Sequence, residues 1–236
     1  FEIECIPEAS MRSAVPKLLR AYLKSGHYDV IITNQDGYAT FVFATLRTAT
    51  FRSRPLHVVM EFITKQKNSG YYSKFKYAVM SVMVRSVTRF ICSAGRETEL
   101  YPADLKLPKE RFAHIPLMTN PKFLSWETKY PVGFTDDGYI LASGYTGRDF
   151  KTFLEAVATI DVPVRLITSP KAVEGLAVPP HVELLFNLPF AEYIEHVARA
   201  RIVVVPLLDW KISVGQSVIL EALALARPLV ATRAPG

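Results

Sequence analysis

Cysteine is scarce in this sequence, which has only two cysteines among its 236 residues, Cys5 and Cys92. They lie far apart, and each stands beside apolar residues, so their spacing favours neither a disulfide framework nor a metal site. We expect two buried free thiols, as is usual in a reducing cytoplasm. Long apolar runs are missing as well, since none approaches the ~20 residues that cross a bilayer.

Several sequence signatures are also absent. No G-x-G-x-x-G follows a first strand, which argues against a dinucleotide-dependent oxidoreductase. Without a nucleic-acid recognition motif, we do not expect nucleic acid as a partner. No internal repeat or low-complexity tract occurs, and no signal-peptide pattern heads the chain. The chain starts at Phe1 without a Met and stops at Gly236 just after a predicted strand, so we expect a fragment that lacks both ends of a longer protein.

The composition is that of a globular protein, and its charge is unevenly distributed along the chain. Half of the residues are apolar and 21% are charged, which is typical of a soluble globular chain. Residues 1–130 carry 19 Lys and Arg against 11 Asp and Glu (+8), whereas residues 131–236 carry 9 against 11 (−2). Prolines between 117 and 137 break regular structure. We therefore predict two domains, residues 1–130 and 131–236.

Apolar runs and helical patterns alternate along both halves, which predicts an α/β protein with two Rossmann-like, doubly wound parallel sheets. Predicted strands cover residues 29–34, 56–63, 89–93, 111–116, 139–144, 162–168, 182–187, 202–205 and 229–232. Predicted helices cover residues 10–25, 38–50, 71–90, 150–159, 190–201 and 217–226, and a further helix opens at Arg96. His57 lies at the start of its strand, away from the ligand-binding end, so we expect a structural role for it.

The most basic part of the chain is residues 65–89. Tyr72, Phe75, Val79, Val82, Met83, Ser86 and Phe90 fall at spacings of three and four within the predicted helix 71–90. This mixture of basic and aromatic residues is typical of a monotopic protein that meets anionic lipid. A helix that packs its apolar face on the core and keeps a solvated basic side fits equally well.

The last 36 residues combine a strand, a glycine-containing loop, a strong helix former and a second strand. The helix start exposes unpaired backbone amides and a positive dipole end, so it suits an anion. Glu221 shares a face with Ser217, four residues earlier. A solvated surface role for Glu221 remains the plain alternative.

This segment resembles the donor-site helix of nucleotide-sugar glycosyltransferases of the B fold, family 4-like (group 1). Those enzymes carry two glutamates separated by seven residues, followed by an Ala-rich helix, a proline and a strand. Glu221 and the following Ala-Leu-Ala-Leu-Ala-Arg-Pro-Leu-Val-Ala-Thr match the second glutamate and its sequel, whereas the first glutamate falls on Ser213. The resemblance implies that Glu221 binds the ribose, and that Gly215, Gln216, Ser217 and Val218 offer amides and a hydroxyl to the donor.

The resemblance continues in the strand that ends at Gly144. Gly144 matches the family's loop glycine, and Arg148 matches the lysine that binds the donor diphosphate. Tyr145 stands where the family usually has an arginine. A surface Arg148 paired with Asp149 or Glu155 is the alternative.

Two further donor-side positions follow from the same resemblance. It assigns the base-reading turn to Asn187 and Leu188. Lys171, just beyond a predicted strand, is a weaker phosphate candidate.

The resemblance implies a glycosyltransferase of the B fold with two incomplete domains facing a cleft, 1–130 on the acceptor side and 131–236 on the donor side. A sugar would pass from a UDP- or GDP-linked donor to a hydroxyl of a glycan or lipid-linked glycan, with retention and without metal or cofactor. Arg148 would stabilise the leaving diphosphate. Glu61, a carboxylate near the end of an apolar strand, is the candidate base, although capping or pairing with a lysine explains it as well.

One expectation concerns the location of the protein, and two alternatives concern its function. We expect a cytoplasmic protein, with a peripheral position on the inner face of the membrane if residues 65–89 bind lipid. A glycan- or nucleotide-binding module without turnover is the alternative that Ser213 and Tyr145 raise. A sugar-nucleotide epimerase of the same fold is the other.

Overall fold

The computed structural model describes residues 11–34, 37–51, 55–64, 70–118, 130, 135–210 and 212–234, except for the side chains of residues 11–15 and Tyr38. The chain divides into two compact units, residues 1–116 with Gly236, and residues 117–235. Cys5, residues 65–69 of the basic stretch and most of the expected linker lie outside the described residues. The domain boundary at residue 130 therefore stays a prediction.

The first unit is a parallel sheet of four strands in the order β1-β2-β3-β4, with helices between them. Its strands are β1 (Val30–Asn34), β2 (Leu56–Met60), β3 (Arg89–Cys92) and β4 (Phe112–His114). Its helices are α1 (Met11–Lys24), α2 (Tyr38–Ala49), α3 (Tyr71–Met83) and α4 (Glu97–Leu105). The predicted strand 56–63 thus ends at Met60, where Glu61 takes a left-handed backbone conformation (φ 49°).

Aromatic rings form the centre of this unit. Phe62 makes edge-to-face contacts with Phe90 and Tyr101, whose ring centroids lie 4.9 and 5.2 Å away. His57 is fully buried on β2, as expected for a structural residue, and its Nε2 lies 2.9 Å from the hydroxyl of Thr33. Burial and the nearby charge of Arg47 lower the pKa of His57 to about 4.

α3 packs one side on the core and keeps Lys74 and Lys76 exposed, but the residues that face the core are not those of the predicted stripe. α3 ends at Met83 rather than residue 90, because Arg89–Cys92 pairs with both neighbouring strands as β3. Tyr77, Met80 and Val84 face the core, and they too are spaced by three and four. Four residues of the predicted stripe lie on the other side of α3, with exposed fractions of 80% for Tyr72, 60% for Phe75, 42% for Val79 and 58% for Val82. Met83 and Ser86 are half-buried, and Phe90 is fully buried on β3.

The second unit is a parallel sheet of five strands in the order β7-β6-β5-β8-β9. Its strands are β5 (Ile140–Ser143), β6 (Val164–Thr168), β7 (Val182–Phe186), β8 (Ile202–Val205) and β9 (Leu229–Ala231). Its helices are α5 (Phe150–Val157), α6 (Pro170–Val173), α7 (Phe190–Arg199) and α8 (Gln216–Ala224).

The direction in which strands are added reverses between β5 and β8. From β5 the chain adds β6 and β7 on one side, then returns to place β8 on the other side of β5. In open parallel sheets, ligands bind beyond the carboxyl ends of the strands at such a switch point. The polar residues that follow β5 and β8 are therefore the first place to look for a site.

The helices of this unit are held by buried apolar faces. Asp149 caps the start of α5, and its carboxylate accepts a hydrogen bond from the Thr152 amide (3.1 Å). Phe150, Phe153, Leu154 and Val157 recur at helical spacing and are buried against the sheet. Ile194 and Val197 of α7 are fully buried in the same way. These contacts fix where α5, α7 and α8 meet the carboxyl edge.

Two expectations from the composition can be compared with the structure. Cys92 is a buried free thiol, and burial with the charge of Glu97 raises its pKa to about 12. Among the residues that the structure describes, no helix combines the length and the apolarity that a membrane crossing requires.

Candidate functional site

The loop after β5 carries Arg148, whose side chain folds back over the backbone of the same loop. Nε of Arg148 donates to the carbonyl oxygen of Ser143 (2.9 Å), and a terminal nitrogen donates to that of Thr146 (2.8 Å). A β-carbon added at Gly144 would lie 2.4 Å from the guanidinium, and Gly144 has a φ of 126°. Glycine therefore leaves the space that Arg148 occupies. Asp149 instead caps α5, so the alternative pairing of Arg148 with Asp149 or Glu155 is not what the structure has.

This loop is joined to the loop after β8 across the switch point. Arg148 and Leu207 form an isolated antiparallel bridge. The Asp149 amide donates to the Pro206 carbonyl (3.0 Å), and the Leu208 amide donates to that of Gly147 (3.0 Å). Arg148 is thus fixed at the seam between β5 and β8.

The amino end of α8 lies against the same seam. Gly215 precedes the helix with a φ of 82°, and a β-carbon there would approach the Leu207 side chain to 2.8 Å. Gln216, Ser217 and Val218 form the first turn of α8, and the backbone amides of a first turn point out of the end of the helix. α8 begins at Gln216, one residue before the predicted start.

Glu221, one turn further along α8, meets Tyr193 and the charge of Arg148. The hydroxyl of Tyr193 donates to Oε2 of Glu221 and lies 3.4 Å from the hydroxyl of Ser143. Burial raises the pKa of Glu221, while the hydrogen bond from Tyr193 and the charge of Arg148 oppose that rise. Burial lowers the pKa of Arg148, which the charge of Glu221 counteracts. Glu221 is therefore a half-buried, partnered carboxylate rather than a solvated helix residue.

The two departures from the family pattern differ in exposure. Ser213 is buried, at 5% exposure, just before α8. Tyr145 is 57% exposed in the loop that carries Arg148. In place of a glutamate and an arginine, this edge therefore has a buried hydroxyl and an exposed phenol ring.

The predicted base-reading turn follows β7. Asn187 has a left-handed backbone (φ 51°), which asparagine tolerates better than most residues. Leu188 packs against the core cluster around Val203 and Val205. Both residues lie at the carboxyl edge that also carries Gly144, although on the far side of β6. Lys171 is exposed on the short helix α6.

Glu61 belongs to the first unit, at the carboxyl end of β2. Its positive φ is uncommon for a residue other than glycine, and such strained positions concentrate at functional sites. The following amide, of Phe62, donates to the Ile91 carbonyl (2.9 Å) and holds the turn. The structure does not test its role as a base.

Sequence reasoning missed three hydroxyls at this edge. The hydroxyl of Tyr193 finds its partner, Glu221, on another helix 28 residues further along the chain. Ser143 and Thr168 end their strands, and the Thr168 hydroxyl donates to the Gly144 carbonyl (2.7 Å). Strand-end hydroxyls beside a loop glycine are a signal that could have drawn attention to them. Among the described residues, no group of three or more His, Cys, Asp or Glu could hold a metal ion.

No model of a known protein family matches the chain, and a comparison with curated proteins found no match either. Several solved structures do match. An α,α-trehalose-6-phosphate synthase from Burkholderia multivorans aligns with a TM-score of 0.61 and 11% identity, over 95% of this chain and 62% of that one. An alpha-glucosyltransferase in complex with UDP and a 13-mer DNA aligns with a TM-score of 0.58 and 13% identity, over 93% and 64%. A UDP-GlcNAc 2-epimerase from Neisseria meningitidis bound to UDP-GlcNAc aligns with a TM-score of 0.50 and 12% identity, over 96% and 66%.

These similarities establish the fold. The chain has the two parallel α/β sheets of glycosyltransferases of the B type, which the epimerase shares. It spans 62% to 66% of the length of these structures. At 11% to 13% identity the likeness concerns architecture and not activity.

Proposed function

We propose that the second unit binds a nucleoside-diphosphate sugar at the seam between β5 and β8, and that the whole protein is a glycosyltransferase. The observation that carries this proposal is a chain of polar contacts at the switch point of the sheet: Arg148 donates to the Ser143 carbonyl, the Ser143 hydroxyl lies 3.4 Å from that of Tyr193, and Tyr193 donates to Glu221. A cation, helix amides and a carboxylate together match the diphosphate and ribose of one nucleotide. The UDP complexes among the similar structures support a UDP-linked donor, with GDP as the alternative.

In the proposed reaction, the bond between the anomeric carbon of the sugar and the diphosphate oxygen breaks, and the diphosphate keeps the electron pair. The acceptor oxygen forms the new bond to that carbon, with retention, and its proton passes to a base. Arg148 and the amides of residues 215–218 stabilise the charge that develops on the diphosphate. Glu61 is our candidate for the base, to be tested through its effect on kcat.

Two variants test the donor site. Glu221→Ala removes a charge-assisted hydrogen bond to the ribose, and we expect UDP to bind more weakly by roughly 1.5–3 kcal/mol. Arg148→Ala should weaken UDP binding and lower turnover. Arg201→Ala and Glu183→Ala are matched controls, because each removes the same charge from a surface ion pair of this unit. Calorimetry in which all four variants bind UDP like the parent protein would refute the proposed site.

Two alternative functions would use the same site, and the reaction products distinguish them from glycosyl transfer. A binding module without turnover, to which Ser213 and Tyr145 point, would bind UDP-sugar and release nothing. An epimerase, the alternative to which the similar Neisseria structure corresponds, would convert the UDP-sugar to its epimer without any acceptor. A glycosyltransferase would release UDP in step with a glycosylated acceptor.

For the acceptor, we propose a hydroxyl of a glycan or lipid-linked glycan, as in polysaccharide synthesis. The similar alpha-glucosyltransferase is in complex with DNA, so duplex DNA belongs in the acceptor panel. DNA would become the leading acceptor if it alone supports UDP release. Our expectation of no nucleic-acid partner would then be wrong.

We also propose that the protein is cytoplasmic and that α3 meets an anionic membrane surface, which would give it a peripheral position on the inner face. The exposed stripe of Tyr72, Phe75, Val79 and Val82 runs beside the exposed Lys74 and Lys76. Apolar side chains flanked by cations are what a helix presents to the headgroup region of anionic lipid.

A further inference from the structure

Tyr193 joins three elements at the carboxyl edge of the second sheet. It lies in the first half of α7, its hydroxyl donates to Glu221 on α8, and the same hydroxyl lies 3.4 Å from the hydroxyl of Ser143 at the end of β5. Residues of α7 and α8 that are 28 positions apart in the chain thus meet through one polar contact.

The ring and the hydroxyl of Tyr193 serve different needs. The neighbouring inward residues of α7, Ile194 and Val197, are apolar and fully buried. A phenylalanine would pack there as well, so packing alone does not require the hydroxyl. Glu221, by contrast, is a half-buried carboxylate, and a buried acceptor without a donor is costly. The hydroxyl of Tyr193 is therefore explained by the hydrogen bond that it donates to the carboxylate of Glu221.

We propose that Tyr193 is a positioning residue for nucleotide binding. Its hydroxyl holds Oε2 of Glu221 and so leaves the other carboxylate oxygen to accept a hydrogen bond from a ribose hydroxyl. This inference rests on the proposed function, because it assigns Tyr193 to the same donor site. A fixed carboxylate loses less conformational entropy on binding than a free one, which is why the hydroxyl matters for affinity.

The surroundings of Glu221 give this role a signature in pH. The titratable groups that act on Glu221 are Tyr193 from α7 and Arg148 from the loop after β5. Burial raises the pKa of the carboxyl, while both of these groups oppose the rise. Without the hydroxyl one opposing contribution is lost, so the carboxyl ionises at a higher pH. A purely structural tyrosine would not move the pH at which nucleotide binding is lost.

The experiment measures UDP affinity by calorimetry from pH 4 to pH 8 for the parent protein, Tyr193→Phe, Glu221→Ala and the double variant. We expect Tyr193→Phe to weaken binding about tenfold at neutral pH. We also expect the acid limb of its affinity profile to lie at higher pH. In the Glu221→Ala background, Tyr193→Phe should add nothing, because the hydroxyl acts through the carboxylate.

Tyr139→Phe is the matched control. Its hydroxyl donates to the His196 carbonyl (2.6 Å) in the same unit but does not act on Glu221, so its profile should match that of the parent. Phenylalanine keeps the ring that packs against the core cluster of this unit, so Tyr193→Phe retains the packing that the fold needs.

The possible outcomes separate the two proposals. If Glu221→Ala weakens UDP binding while Tyr193→Phe changes neither affinity nor profile, this inference fails and the donor site stands. An additive loss in the double variant would also overturn the inference, because Tyr193 would then act on its own. If neither Glu221→Ala nor Arg148→Ala affects UDP, the donor site itself fails.

Discussion

The guanidinium of Arg148 lies directly over Gly144, in the space that a side chain at Gly144 would fill. A β-carbon there would stand 2.4 Å from Nε of Arg148 and 2.5 Å from its central carbon. The glycine and the arginine are four residues apart, and the guanidinium can take this position because Gly144 has no side chain. A loop glycine matched only by resemblance thus acquires a steric reason in this chain.

We therefore expect Gly144→Ala to harm both stability and nucleotide binding. The φ of 126° and the clash with Arg148 should together lower the free energy of unfolding by about 2–3 kcal/mol, measured by urea denaturation. Gly175→Ala is the control, because Gly175 has a φ of 76° but open space around it, so only the backbone cost of about 1 kcal/mol applies. Equal losses at both sites would mean that Arg148 simply moves aside.

A second prediction concerns the support beneath this loop. The hydroxyl of the fully buried Thr168 donates to the Gly144 carbonyl at 2.7 Å. Thr168→Val keeps the shape and removes the donor, so we expect a loss of about 1–3 kcal/mol in the free energy of unfolding. Thr159→Val, which removes an exposed hydroxyl bonded to the Ala156 carbonyl, should cost much less. Equal melting temperatures for the two variants would contradict this view of the loop.

The third prediction concerns the stability of the first unit towards acid. The pKa of His57 is about 4 in the folded protein against 6.5 for an unperturbed histidine, so the unfolded chain binds more protons between these values. The free energy of unfolding is therefore not reduced by His57 above pH 6.5. As the pH falls from 6.5 towards 4, protonation of His57 in the unfolded chain lowers the free energy of unfolding by about 3 kcal/mol in all. Urea unfolding at several pH values should show a shallower dependence in His57→Gln than in the parent. Parallel curves would show that His57 does not carry this effect.

The fourth prediction concerns α3 and lipid. We expect sedimentation with anionic vesicles of phosphatidylserine and phosphatidylcholine, weakened by salt and absent with phosphatidylcholine alone. Lys74→Glu with Lys76→Glu should reduce binding at least ~tenfold, since each basic residue near the surface contributes ~1 kcal/mol. The matched control, Lys17→Glu with Lys24→Glu on α1, makes the same change of charge and should matter far less.

The apolar part of that surface has a separate test. Phe75→Ser with Val79→Ser should weaken vesicle binding at constant charge, whereas Phe51→Ser, at a residue 93% exposed outside α3, should not. If vesicle binding responds to the lysines but not to Phe75 and Val79, then the contact is electrostatic only and no side chain enters the bilayer.

Much of the second unit could be predicted because its signals are local. Short apolar runs mark β5, β6, β7 and β8, and the helices that follow β5, β7 and β8 are predicted from their sequence patterns. The four-residue α6 that follows β6 is too short to give such a pattern, and the sequence does not predict it. Arg148 and Glu221 could be matched because each stands at a fixed place in a strand, loop and helix sequence. That both residues lie at one seam depends on strand order, which spacing along the chain does not contain.

What could not be predicted depends on contacts distant in the chain. Tyr193 and Glu221 are 28 residues apart, and only the packing of α7 on α8 makes them partners. α3 has two stripes at helical spacing, and the choice between Tyr77 with Met80 and Phe75 with Val79 is made by the helices and strands around it. No periodicity in one segment contains that information.

One further consequence comes from the side chain beneath Gly147. The indole of Trp210 lies against this glycine, with its ring edge 3.1 Å from the position that a β-carbon would take. Trp210 and Trp126 are the only tryptophans of the chain. In a Trp126→Phe variant, tryptophan fluorescence would report only from Trp210, where it touches the arginine-bearing loop, and we expect that signal to change when a UDP-linked donor binds.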